Sequence, residues 1–182
     1  TTPMDRRRNA MLAAAEIVLI VDRVVRSVEG RQVGTVGRLL VKPGAANVIP
    51  GQVDLTVELR DLSTEKIERL WTQIHAEALE VAKKYDVTLD YVLQHTNPPA
   101  LSTPAIRGVI ADATRGLGLS SQVMPSGAGH DAQDLARIGP MGMIFVPSVK
   151  GISHSPLELT RPDDVTNGAN VLLQTVLRLD EA

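Results

Sequence analysis

The chain has 182 residues, of which 43% are hydrophobic and 22% charged, with a net charge of −2 at pH 7. That balance suits a soluble globular protein of one ordinary domain or two small ones, with no basic face for nucleic acid and no polybasic membrane patch. Cysteine is absent, which excludes a disulfide framework and thiol catalysis and is compatible with a cytoplasmic location. No apolar run approaches the roughly 18 to 20 residues that cross a bilayer.

Thr2-Pro3-Met4-Asp5 reads as a helix start, with Thr2 as cap, Pro3 in the first turn and Asp5 at the positive end. Met11, Ala14, Ala15, Val18, Val21, Val25 and Val28 then recur at helical spacing as far as Glu29-Gly30. A start at Thr1 with no initiator Met, running straight into a helix, implies that upstream sequence has been removed. Residues 32–42 predict a strand stopped by Pro43-Gly44. Val53, Leu55, Val57 and Leu59 alternate with Asp54, Thr56, Glu58 and Arg60, the signature of a half-buried strand.

Ser63 caps a second predicted helix, with Ile67, Leu70, Trp71, Ile74, Ala78 and Val81 on one stripe. Val87, Leu89, Tyr91, Leu93 and His95 alternate as a further strand. The resulting α-β-β-α-β order is one strand short of a ferredoxin-like α+β sandwich. Asn97-Pro98-Pro99 breaks the pattern and separates a unit of residues 1–97 from one of residues 98–182. Beyond it the pattern predicts a helix over 104–115, a short strand over 122–124, a helix over 132–138, a buried strand over 141–146 and a final helix over 162–179. Alternating helices and strands there indicate the tail of an α/β domain with a largely parallel sheet.

Three groups of residues could carry chemistry. His154, between Ser153 and Ser155, is placed to ligate a metal from a loop, or else stiffens a turn by hydrogen bonding. His130-Asp131 reads as a base with its orienting carboxylate, or Asp131 caps the helix that follows, the role its place after a glycine-rich turn favours. Both histidines flank the predicted 141–146 strand and could face one cleft. Asn47, in a loop rich in Pro and Gly, and Arg60, at a strand end, could together clamp a carboxylate. The plainer alternative, a turn-forming Asn47 and an Arg60 paired with Glu58 or Asp61, is favoured on spacing alone. His75 reads as solvated on its helix and His95 as surface structure. No HExxH, HxD or clustered carboxylate motif occurs, so the chain alone does not build a metal centre.

Five stretches carry a resemblance to a known family: residues 1–10, Asn47-Val48-Ile49-Pro50-Gly51, Val57-Glu58-Leu59-Arg60-Asp61, Ser126-Gly127-Ala128-Gly129-His130-Asp131-Ala132, and residues 151–160. In series they resemble the hydantoinase/carbamoylase branch of the M20 metallopeptidase-like amidohydrolases. The resemblance implies an α/β protein: a ferredoxin-like lid and dimerisation domain over 1–97, then the C-terminal part of a metallohydrolase domain over 98–182. It implies a homodimer in which His154 is the last ligand of a two-metal site. Asn47 and Arg60 would hold the substrate carboxylate, commonly across the dimer interface, and His130 would line the site, touching substrate or supporting it with Asp131.

The implied activity is metal-dependent hydrolysis of a C–N bond in an N-carbamoyl amino acid or related ureido acid, with two ions of Zn, Mn, Co or Ni. The family's other ligands and its catalytic glutamate lie upstream of the Thr-Thr-Pro-Met segment, so this chain by itself is expected to be inactive and metal-free. Two other readings stand beside this one, a non-catalytic homodimerisation or interaction module and an M20 dipeptidase or aminoacylase.

Overall fold

The computed structural model describes residues 1–181, which divide into two compact units, one of residues 1–99 and one from residue 100 onward. In the first unit a single turn at Met4–Arg6 precedes helix α1, Ala10–Ser27. The expected Thr2 cap is not formed. Arg7 is extended at φ −83°, ψ 129° and ends that turn, and α1 is capped instead by Asn9, whose Oδ1 accepts from Met11 N–H at 3.0 Å. A seven-residue shift, from Thr2 to Asn9, puts the cap on the residue whose side chain reaches the orphan amides.

Strands β1, Val33–Lys42, and β2, Gln52–Arg60, form an antiparallel hairpin in which Val33 pairs with Arg60 and Lys42 with Gln52. The register shifts between Val36 and Arg38, a bulge centred on Gly37. Helix α2, Thr64–Lys84, starts at Ser63, whose hydroxyl accepts from Lys66 N–H at 3.2 Å, as its sequence position predicts. Asp61 accepts from Ser63 N–H and pairs with Lys66, which also donates to the Glu29 carbonyl, so the end of β2 is tied to the α1–β1 turn.

Both helices cover the apolar face of the hairpin. The core joins Ala13, Ile17, Ile20, Val21, Val24 and Val25 of α1 to Leu70, Ile74, Ala78 and Val81 of α2, with Val36, Leu55, Val57 and Leu59 beneath. On α2 the buried stripe is the predicted one. On α1 it is rotated: Ala14, Val21 and Val25 are buried as expected, but Ala15 is exposed and Ile17, Ile20 and Val24 are interior. Residues 10–21 are almost all apolar, so periodicity alone left the phase of α1 open and contact with both neighbours decided it. At Gly34 a Cβ would stand 2.5 Å from a Val25 methyl and 3.0 Å from a Leu59 methyl, so only glycine lets α1 lie this close to the hairpin.

Glu16 links the two helices at their edge, accepting from Lys84 Nζ and from the Tyr85 hydroxyl. Those hydrogen bonds, Lys84 first, hold the Glu16 carboxyl below its usual range. A folded pKa below the unfolded one contributes stability above the unfolded value, and that contribution is lost as pH falls through the folded value. The thermal midpoint of the wild-type chain is therefore expected to fall more steeply on acidification than that of E16Q. Midpoints measured by circular dichroism from neutral to acid pH test this.

The strand expected over 87–95 is not one. Val87 and Leu89 pack on the core, but among the described residues the only sheet is the β1–β2 hairpin, so the segment has no ladder partner. Tyr91 instead lies edge-on to Trp71 (5.2 Å between ring centres) and His75 (4.8 Å), and the latter two stack at 5.5 Å. His75 is thus half-buried in an aromatic cluster rather than solvated. One turn of helix places residues 71 and 75 together, and chain return places Tyr91.

In the second unit α3, Pro104–Gly116, packs against α5, Pro162–Asp180, around Ala113, Thr114, Val171 and Thr175. The expected helix over 132–138 shortens to α4, Ala132–Leu135, and the expected strands over 122–124 and 141–146 are irregular. The apolar segment after Pro140 is nonetheless held against the helices. Thr103 N–H donates to the Met141 carbonyl at 2.8 Å, and Met141 N–H donates to the Thr103 hydroxyl at 3.1 Å. Side chains added at Gly142 and Gly168 would collide with Ile106 and Val146, so this segment touches both α3 and α5. The predicted parallel sheet is replaced, among the described residues, by this helical pair and its overlying chain. Periodicity finds the buried faces, but a strand also needs a neighbour to complete its hydrogen bonds.

Candidate active site

Asn47 is exposed in the loop that closes the β1–β2 hairpin. That loop is anchored at its base by Gly51 N–H to the Lys42 carbonyl (3.1 Å) and by Ala10 N–H to the Pro50 carbonyl (3.1 Å). Arg60 is the last residue of β2, at the opposite end of the same hairpin. Nine strand residues at roughly 3.3 Å each put about 25 to 30 Å between the two positions. One copy of the chain therefore does not bring Asn47 and Arg60 onto one carboxylate. Arg60 pairs with Glu58, Nε to Oε1 at 2.8 Å and Nη2 to Oε1 at 2.6 Å, the ion pairing its sequence neighbours allow.

The loop over 126–131 is internally bonded. Ser126 Oγ lies 2.7 Å from His130 Nε2, contacts the Ala128 carbonyl at 3.1 Å and accepts from Ala128 N–H at 3.2 Å. His130 is half-buried, its ring edge-on to Phe145 at 5.9 Å between centres. Asp131 does not cap α4. Its φ of −56° and ψ of −25° are already helical, it makes no side-chain cap bond, and Gln133 Oε1 instead accepts from His130 N–H at 3.3 Å. A capping residue needs extended backbone to turn its side chain onto the helix amides, and Asp131 lacks it.

His154 sits exposed in the loop before α5 at φ +55°, a left-handed conformation that a non-glycine residue rarely adopts. Two contacts support it: His154 N–H donates to Glu158 Oε2 at 2.8 Å, and its Nδ1 lies 2.8 Å from Ser153 Oγ. With Nδ1 engaged, Nε2 is the nitrogen left to meet a ligand, the arrangement of a metal-binding histidine oriented by a hydrogen-bonded neighbour. Among the described residues no three His, Asp or Glu side chains gather to hold a metal ion.

Sequence reasoning missed Ser126 and Ser153, the hydroxyls that contact the two loop histidines. Their spacing, Ser126 four residues before His130 and Ser153 adjoining His154, was the available signal.

Residues 10–178 match Peptidase family M20/M25/M40, and the chain belongs to that family. An N-carbamoyl-L-amino acid amidohydrolase of Geobacillus stearothermophilus is 41% identical over 178 residues, covering 98% of this chain and 43% of that protein. The crystal structure of AtUAH in complex with glyoxylate superposes on all of this chain and 44% of its own, with a TM-score of 0.89 and 40% identity. A hydantoinase/carbamoylase family amidase from Burkholderia ambifaria follows with a TM-score of 0.87 and 32% identity, over 98% of this chain and 42% of that one. The chain thus spans less than half the length of these relatives. No helix among the described residues is long and apolar enough to cross a membrane.

Proposed function

We propose that the chain forms part of a metal-dependent amidohydrolase that cleaves a C–N bond in N-carbamoyl amino acids or related ureido acids. The observation that carries this reading is likeness over 97–98% of the chain, rather than one segment, to relatives named N-carbamoyl-L-amino acid amidohydrolase and ureidoglycolate hydrolase. Residues 1–97 serve as a ferredoxin-like lid that also dimerises, and residues 98–182 as part of the catalytic α/β domain. The exposed Leu172, Leu173, Val176 and Leu177 of α5 favour the second assignment, because an adjoining sheet would cover them.

In this reading His154 is one ligand of a paired divalent-metal site, of Zn, Mn, Co or Ni, bound through Nε2 while Ser153 orients the ring. Such metals, when bound, supply Lewis acidity and a water activated near neutral pH. Arg60 leaves Glu58 to take the substrate carboxylate through its guanidinium fork. The separation of Asn47 from Arg60 favours a homodimer whose two copies contribute one residue each to a given carboxylate. His130, with Asp131 beside it, contacts the substrate or supports the residues that do.

The test is a fusion of the upstream part of the Geobacillus amidohydrolase to this chain, assayed on N-carbamoyl-L-amino acids with each metal added. Hydrolysis by the fusion, with none by the 182-residue chain, is expected. A folded fusion inactive with every metal, or an active chain alone, overturns the reading. In that fusion R60A is expected to lower kcat/KM by roughly 10- to 150-fold, the equivalent of ~1.5–3 kcal/mol for a hydrogen bond to a charged group. Steady-state kinetics should show the loss largely in KM, because the carboxylate is held alike in ground and transition states.

A further inference from the structure

We infer that Ser126 is a positioning residue that sets the tautomer of His130. A serine hydroxyl has one proton and two lone pairs. The Ala128 amide, 3.2 Å away, takes one lone pair, and the Ala128 carbonyl, 3.1 Å away, can only accept and so takes the proton. One lone pair remains, and His130 Nε2 stands 2.7 Å from the oxygen. Two lone pairs at that distance repel, so the imidazole supplies the hydrogen, and neutral His130 carries its proton on Nε2.

The consequence falls on Nδ1, which keeps a bare lone pair and makes no hydrogen bond among the described residues. The edge-on Phe145 ring and the Gln133 bond to His130 N–H hold the residue in place, and a flipped ring would forfeit the Ser126 bond. His130 therefore meets a ligand as an acceptor. An N–H group, such as a ureido or carbamoyl nitrogen, suits it, and a carboxylate does not. This step rests on the reading of His130 as a residue lining the site.

The test is long-range proton–nitrogen NMR of the 182-residue chain labelled at histidine, with H130Q identifying the His130 signals. The wild-type chain is expected to show the Nε2–H form of neutral His130. Loss of one hydrogen bond in S126A should shift the ratio toward the Nδ1–H form about fivefold, and S126T should restore it. A wild-type chain with the proton on Nδ1, or a folded S126A with an unchanged ratio, overturns the inference. If S126A fails to fold, the wild-type tautomer alone decides. Addition of N-carbamoylglycine to the zinc-loaded fusion, labelled in the same way, tests the underlying reading separately. A moved Nδ1 resonance supports the acceptor role, whereas an unmoved one beside the expected tautomer removes His130 from the substrate contacts and leaves the role of Ser126 standing.

Discussion

Replacing His154 by Ala in the metal-loaded fusion is expected to abolish measurable hydrolysis, with a loss of at least about 100-fold. The bound is set by hydrogen-bonded neighbours of metal ligands, whose removal alone costs roughly 10- to 100-fold in affinity or activity. Loss of a ligating nitrogen exceeds that. S153A is the graded companion: it keeps Nε2 but frees the ring to rotate, because Ser153 Oγ at 2.8 Å from Nδ1 is the contact that orients it. Its loss should fall within that 10- to 100-fold range and shrink at saturating metal. Metal content measured beside kcat separates the cases, since H154A should be short of metal at concentrations that still load S153A. Equal activity of H154A and the parent fusion would remove His154 from the metal site.

The second large effect concerns stability. Ile74 is 1% exposed at the centre of α2, against Val21 and Val24 in one continuous core. Truncation to Ala leaves a cavity between two helices and a hairpin, none of which can collapse without breaking its other contacts. I74A should therefore cost about 2–5 kcal/mol. Leu79, on the same helix but 39% exposed, is the control, and L79A should cost far less. Urea unfolding followed by the fluorescence of Trp71, the sole tryptophan, reads both variants from within the first unit. Equal costs for the two substitutions would mean that the core is placed wrongly.

Of the candidate site, the sequence located the loops better than the roles within them. His154 and His130 lie in turns, as glycine, serine and proline neighbours demanded. Residue type and position point to Asp131 as a cap, whereas capping depends on a backbone angle that Asp131 does not adopt. Asn47 and Arg60 look close because 13 positions separate them in the chain. Nine of those positions, 52–60, form an extended strand, so the two ends diverge rather than meet.

What the sequence determined by itself was whatever depends on near neighbours along the chain: the Ser63 cap, the alternating face of β2, the buried stripe of α2 and the family-bearing loops. Each follows from spacings of two, three or four residues, which backbone geometry converts directly into a shared face. Tertiary structure alone decided the phase of α1, the seating of Tyr91 on Trp71 and His75, and whether residues 87–95, 122–124 and 141–146 become strands. Those outcomes depend on what lies across from a segment. An apolar alternation makes a strand possible, and only a neighbouring backbone with unpaired amides and carbonyls makes it one.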